Sequence, residues 1–246
     1  MLGDDVAIRV ISLSSSAERR AHMARQLEAV TVPWEFFDAC TELPSDLPYD
    51  QASARWMRGR ELTPGELGCF ASHHALWRWL LRSDYNALCV LEDDIVFDWH
   101  FLNQLPKLAA DLPGIEYLRL YAKVPRRCID LGSIANRRLV RYELPVAGTQ
   151  GYVITKDGAA KLLRSAPVVV RPVDDEMDRF WANGLPLYCI FPFPILEVAF
   201  NSTIESARRR LPKLSPLDQT RRVLFRSTEK GRRLVRRSLL PRQVQR

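Results

Sequence analysis

Apolar runs of strand length recur along the chain and alternate with segments whose apolar residues return every three or four positions. Val6 to Leu13 is apolar and rich in β-branched residues, which predicts a strand. Ser14-Ser15-Ser16 supplies turn and N-cap chemistry, and the spacing of Met23 and Leu27 predicts a helix from Ala17 to Val30. Val32 to Ala39 reads as a second strand. Thr41 to Arg60 is rich in Pro, Asp and Ser, has no clean period, and is expected to be a long loop. Thr63-Pro64-Gly65-Glu66 is a capping box with proline at the first helical position, so a helix is expected to run to Arg82. Leu67, Phe70, Ala71, His74, Trp77 and Leu81 mark its apolar face.

The second half continues the alternation. A third strand covers Ala87 to Leu91, and Ile95 to Phe97 remain apolar. His100 to Leu112 has helical character, Glu116 to Tyr121 alternates as a strand, Val124 to Asn136 is irregular, and Arg138 to Leu144 suggests a short strand. Gly148 and Gly151 flank Thr149-Gln150 just before the strand Tyr152 to Thr155, and mark a bend or a close backbone approach. A helix over Lys156 to Ser165, an apolar run over Val168 to Val173 and a helix over Glu176 to Asn183 follow. Strands alternating with helices predict an α/β domain with one sheet flanked by helices.

Composition narrows the class. A chain of 246 residues with 47% hydrophobic and 26% charged residues can bury a sizeable core. The net charge of +7 is uneven: residues 208–246 carry fourteen Lys or Arg against Asp218 and Glu229, which leaves −5 for residues 1–207. The chain therefore reads as an acidic body, 1–205, and a basic tail, 206–246. Val223-Leu224-Phe225, Leu234-Val235 and Leu239-Leu240 suggest basic amphipathic helices in that tail, suited to an anionic membrane surface; a solvated tail is the alternative. Nucleic acid is not the expected partner, since the tail holds a single aromatic residue for stacking. The five cysteines are scattered without a Cys-x-x-Cys pair, and no signal peptide or membrane span is legible. These features suit the cytosol, with peripheral contact to the inner membrane.

The candidate chemistry lies where strands end. The third strand runs into Glu92-Asp93-Asp94, three adjacent acids that repel unless a cation joins them. Hard divalent cations such as Mn²⁺ or Mg²⁺ favour carboxylate oxygens, and alternate residues of an extended segment face one side. Glu92 and Asp94 are thus the metal-ligand candidates, with Asp93 turned elsewhere; a solvated acidic turn is the bland reading. Asp174-Asp175-Glu176 forms a second acidic cluster, able to supply a general base or to cap the next helix. Arg19 and Arg20, at the start of the first predicted helix, are candidates for a diphosphate or base. Of His73 and His74, adjacent on a helix and unable to chelate together, one is expected in the core and the other near a substrate.

Taken in order, these blocks resemble glycosyltransferase family 25, the bacterial lipooligosaccharide galactosyltransferases and collagen galactosyltransferases. The resemblance rests on Val10-Ile11-Ser12-Leu13 with Glu18-Arg19-Arg20, Phe36-Phe37-Asp38-Ala39, Leu62 to Cys69, Ser72-His73 with Leu76-Trp77, Leu91 to Asp94, Gly148 to Ile154, Pro172 to Asp175, and Asn201-Ser202-Thr203-Ile204. It implies a GT-A-like fold with a single mixed sheet, a UDP-sugar donor, Mn²⁺ or Mg²⁺, and inverting transfer of a sugar, usually galactose, to a glycan or glycolipid acceptor such as lipooligosaccharide. Under that resemblance Glu92 and Asp94 hold the metal. Asp174, or else Asp175, is the base. Ser12, Leu13, Arg19, Arg20, Ser72, His73, Asp93, Ser202 and Thr203 address donor or acceptor. Ser12 stands where the family usually has asparagine. A metal-dependent phosphoryl transferase and a non-catalytic sugar-nucleotide binder are the rival readings; the first lacks a P-loop pattern.

Overall fold

A computed structural model describes residues 5–198 and 215–240. The elements in chain order are β1 (Val6–Ser12), α1 (Ala17–Leu27), β2 (Trp34–Asp38), α2 (Gln51–Arg58), α3 (Pro64–Arg82), β3 (Ala87–Glu92), β4 (Ile95–Phe97), α4 (Trp99–Leu102), α5 (Leu105–Asp111) and β5 (Tyr117–Arg119). They continue with β6 (Cys128–Ile134), β7 (Arg137–Tyr142), β8 (Gly151–Thr155), α6 (Lys156–Ser165), α7 (Val173–Met177), α8 (Phe180–Asn183), β9 (Leu187–Phe191), β10 (Ile195–Glu197) and α9 (Pro216–Ser238).

Eight strands form one mixed sheet in the order β2-β1-β3-β8-β5-β9-β7-β6, and β4 pairs with β10 in a separate two-stranded ribbon. The α/β architecture with a large mixed sheet flanked by helices is thus the expected one, with the ribbon as an addition. Strand alternation places one side chain set on each face. Leu88 and Val90 of β3 join Leu76, Trp77 and Leu80 of α3 and Ala159 and Leu162 of α6 in one core. Ala87, Cys89 and Leu91 join Met23 and Leu27 of α1 and Leu102 and Leu105 of α4 and α5 in the other. Burying each such aliphatic side chain stabilises the fold by ~1.5–3 kcal/mol.

The register decides where chemistry collects. β1 and β3 are parallel with Ile11 opposite Glu92, and β1 and β2 are parallel with Ser12 opposite Asp38. Three strands therefore end at one level, the place where ligands gather in α/β sheets. β8 runs antiparallel to β3 with Gly151 opposite Leu91, so the start of β8 meets the end of β3.

Several local expectations are corrected. The expected loop 41–60 contains α2, which Asp50 caps by accepting the Ser53 N–H at 2.9 Å. Its packing partner, α9, lies far away in sequence: Trp56 meets Phe225 edge to face at 5.5 Å. The stretch expected to be irregular contains β6, whose alternation is broken by a register shift between Asp130 and Gly132. The helix expected over 100–112 is split into α4 and α5, and the helix over 176–183 into α7 and α8. Ser16 occupies the N-cap of α1 without a side-chain capping bond. Neither Asp174 nor Asp175 is an N-cap, because both already lie in the first turn of α7 behind Pro172.

The described part of the tail is one continuous helix rather than several. α9 lies against the body: its Glu229 accepts from Arg179 Nε at 2.8 Å and Trp181 Nε1 at 3.0 Å, and Leu240, just past its end, is buried. Among the described residues no helix is long and apolar enough to cross a membrane.

Candidate active site

A cavity of about 430 Å³ opens at the shared end of β1 and β3. Ser12, Leu13, Arg19, Ser72, His73 and the triplet Glu92, Asp93 and Asp94 all line it. The structure thus brings together eight of the predicted residues, drawn from three stretches of the chain, 12–19, 72–73 and 92–94.

The three acids face different partners. Asp93 is buried and turns towards β1 and α1: Ser12 Oγ donates to its Oδ2 at 2.6 Å, and Arg19 Nη1 to its Oδ1 at 3.0 Å. Ser12 and Arg19 together fix the carboxylate of Asp93 against β1 and α1. Glu92 turns the opposite way, accepting the Thr149 hydroxyl and facing His73 Nε2 at 3.6 Å. Burial works against its charge, but His73 and Thr149 hold its carboxyl below the usual range.

Asp94 is different. Among the described residues, its Oδ1 is buried with no hydrogen-bond partner. Burial, then the charges of Glu92, Asp93 and Glu197, push its carboxyl up to about 7. An ionised oxygen without a donor is costly, so this arrangement suits a site completed by a cation. The donor set fits a divalent metal: Asp94 supplies a free oxygen and Glu92 a second carboxylate on the same cavity wall. Cys69, His73 and Glu92 also present ligand atoms within 4.8 Å of one another, so softer atoms lie close to the same acid.

His73 is held from behind. Trp77 Nε1 donates to Tyr152 OH at 3.0 Å, and the same hydroxyl lies 2.9 Å from His73 Nδ1. With its oxygen taken by the indole, the hydroxyl is placed to donate to Nδ1, which leaves the Nε2 proton aimed at Glu92. His73, although fully buried, is thus the cavity histidine, while His74, also buried, lies edge-on to Trp77 and faces the charges of Arg78 and Asp46. Ser72 lines the cavity but its hydroxyl is spent on the backbone, accepting from Cys40 N at 2.8 Å and donating to Gly68 O at 2.8 Å.

Arg20 does not line the cavity. It donates to Ser12 O at 2.9 Å and Leu13 O at 3.1 Å and pairs with Asp38, so it fixes the turn that carries Ser12 and Leu13. Ser202 and Thr203 lie outside the described residues.

Asp175 lines a second, basic cavity, and Asp174 beside it is bonded to the Gly148 loop. Asp174 Oδ2 accepts the Gly148 N–H at 3.4 Å and its Oδ1 the Asp175 N–H at 2.9 Å. Its charge is felt by Cys69 in the acidic cavity and by Arg60 in the basic one. Asp175 is paired with Arg58. The loop beside them is built by Asp178, whose Oδ2 accepts from Val146 N at 2.8 Å and Ala147 N at 2.7 Å. Gly148 follows with φ of +83°, and a Cβ on Gly151 would collide with Ile195. The two glycines thus mark both a bend and a close approach.

Thr149, Tyr152, Cys69, Asp178 and Glu197 were not predicted as site residues. Thr149 sits inside the Gly-Thr-Gln-Gly block, the one local signal that pointed to it. Tyr152 and Asp178 reach the site only through tertiary packing.

Residues 6–177 match glycosyltransferase family 25, described as an LPS biosynthesis protein. The chain is 30% identical over 203 residues to the lacto-N-neotetraose biosynthesis glycosyltransferase LgtE of Neisseria gonorrhoeae, which covers 74% of this chain and 71% of that protein. It is 31% identical over 193 residues to a glycosyltransferase 25 family member of Anopheles gambiae, covering 72% of this chain and 32% of that protein. Procollagen galactosyltransferase 1-A of Xenopus laevis is 30% identical over 189 residues, covering 68% of this chain and 29% of that protein. The match spans the strand-end cavity and both acidic clusters, and the chain belongs to glycosyltransferase family 25.

Proposed function

We propose that this protein transfers a sugar, galactose by analogy with its relatives, from a UDP-sugar to a glycan or glycolipid acceptor with inversion at the transferred carbon. The observation that carries the reading is the buried, partnerless oxygen of Asp94 beside Glu92 at the shared end of β1 and β3. Asp94 and Glu92 would hold Mn²⁺ or Mg²⁺, and such a cation supplies positive charge against which a diphosphate can depart. Asp93, fixed by Ser12 and Arg19, and the Ser12-Leu13 turn shape the nucleotide side of the cavity. Asp174 is the base: it is bonded to Gly148, next to the Thr149 that touches Glu92, while Asp175 is already engaged by Arg58. Its task is to take the proton of the acceptor hydroxyl as that oxygen attacks.

α9 gives the reading a place. Leu217, Leu224, Val235 and Leu239 share its outward side, and Leu224 and Val235 are each 63% exposed. Arg221 and Arg232 flank this line, the pattern of a helix lying on an anionic surface. Peripheral attachment to the cytoplasmic face of a membrane would bring the enzyme to a lipid-borne acceptor.

The test is hydrolysis of a panel of UDP-sugars with and without Mn²⁺, on the unmodified chain and on Asp94→Asn. Metal-dependent turnover that falls at least ~100-fold in the variant, with an unchanged melting curve, is expected from the loss of several kcal/mol of charge stabilisation. Full activity in Asp94→Asn would refute the metal assignment. Metal-dependent UDP binding without turnover would favour a sugar-nucleotide binder.

A further inference from the structure

A second cavity, of about 580 Å³, lies where α9 meets α2 and the segment of α7 and α8. Eight of its fourteen lining residues are Arg or Lys, against two carboxylates, Asp175 and Glu229. Glu66 and Glu176, behind the wall, pair with Arg60, Arg171 and Arg179. Even with these counted, cations outnumber acids two to one. Arg58 is held by Asp175.

The surplus comes from α9. Among the described residues, Arg226 and Lys230 form no ion pair, and both are exposed along the cavity edge. Arg222 projects deeper. Its Nη2 donates to Arg58 O at 3.1 Å, while its Nε is buried with no hydrogen-bond partner among the described residues. A guanidinium N–H shut away from water and left unbonded is costly, and close cations repel one another. Both penalties are relieved by one bound anion. Arginine forks match phosphate and carboxylate oxygens. Met57, Trp181 and Phe225 add an apolar floor, and the volume is that of a small-molecule site.

The position matters as much as the charge. Asp175 lines this cavity, and its neighbour Asp174 accepts the N–H of Gly148, next to the Thr149 that donates to Glu92. We propose that the cleft between α2, α7 and α9 seats an anionic group, phosphate or carboxylate, on the acceptor glycan, and so holds the acceptor beside Asp174. This deepens the transferase reading and rests on it. The acceptor is then an acidic saccharide rather than a neutral one, and the tail helix is part of its binding site.

The experiment uses the full chain without nucleotide and titrates inorganic phosphate, glucose 6-phosphate and glucose by calorimetry. Phosphate and glucose 6-phosphate are expected to bind and glucose not to. The double variant Arg226→Gln/Lys230→Gln, altered only at exposed positions, should weaken both at least tenfold and leave UDP-sugar hydrolysis unchanged. Equal affinity in the two proteins, or none in the unmodified one, would overturn the proposal. So would displacement of phosphate by UDP, which would assign the cleft to the donor. Vesicles containing phosphatidylglycerol separate a lipid headgroup from a saccharide. If the variant releases vesicles and glucose 6-phosphate does not compete with them, the cations serve the membrane and the proposal falls; vesicle binding unaffected by the variant supports it. Phosphate binding is read without any turnover, so a failed transferase assay is distinguishable from a failed anion site.

Discussion

The guanidinium of Arg119 and the carboxylate of Asp178 meet at 2.7 Å with both side chains sealed from solvent. Asp178 also accepts the N–H groups of Val146 and Ala147, and Arg119 donates to Ala147 O at 2.6 Å. One buried pair thus shapes the loop that leads to Gly148 and Thr149. Asp178→Ala would strand a buried cation and two backbone donors, a loss of ~3–5 kcal/mol. The melting temperature should fall by on the order of 10 °C. A fall no larger than that of an exposed control, such as Asp130→Ala, would show that the pair does not hold the loop.

Ser12 and Arg19 share Asp93, so removing one leaves the other. Ser12→Ala is expected to change the melting curve little and to weaken UDP binding about tenfold, the scale of a lost hydrogen bond to a charged group. Ser12→Asn retains a donor and should recover most of the affinity. Calorimetry with UDP and Mn²⁺ checks both, and wild-type affinity in Ser12→Ala would separate Asp93 from nucleotide binding.

The docking of α9 carries a pH signature. Burial works to raise the Glu229 carboxyl, but Arg179 and the Trp181 N–H outweigh it and hold it below its ordinary value of 4.5. A carboxyl lowered by folding stabilises the fold fully above its unfolded pKa, and the contribution is lost as pH falls through the folded pKa. The stability gap between the wild type and Glu229→Gln should therefore be constant near neutrality and shrink below pH 4.5. Thermal melts of both proteins at pH 7 and pH 4 measure it; an equal gap at the two pH values would show that this ion pair does not hold the helix.

The outward side of α9 predicts a separable membrane phenotype. Leu224→Asn/Val235→Asn should release the protein from anionic vesicles in a flotation assay and leave the melting temperature unchanged, because neither side chain is part of the packed side. Retained flotation would assign vesicle binding elsewhere.

The sequence made the strands and the strand-end acids legible because their signals are local. An apolar run that stops at Glu92, a capping box at Thr63 and a glycine-flanked Thr149-Gln150 each occupy a few consecutive residues. α2 was missed because what holds it, Phe225 and the rest of α9, lies more than 160 residues away. β6 was missed because its register shift at Gly132 breaks the alternation that identifies strands. The alternative of Asp174 or Asp175 as a helix cap does not hold, because Pro172 starts α7 earlier than the polar pattern suggests. Arg20 read as a ligand contact from its place on α1, yet its reach is spent on the β1 turn and Asp38. Partner choice at that distance depends on geometry that no spacing rule carries.

β8 enters the sheet at the very level where β3 leaves it. The loop in front of it is pinned at Val146 and Ala147 by Asp178 and touches Glu92 through Thr149, so a change of its length reaches the acid at the end of β3.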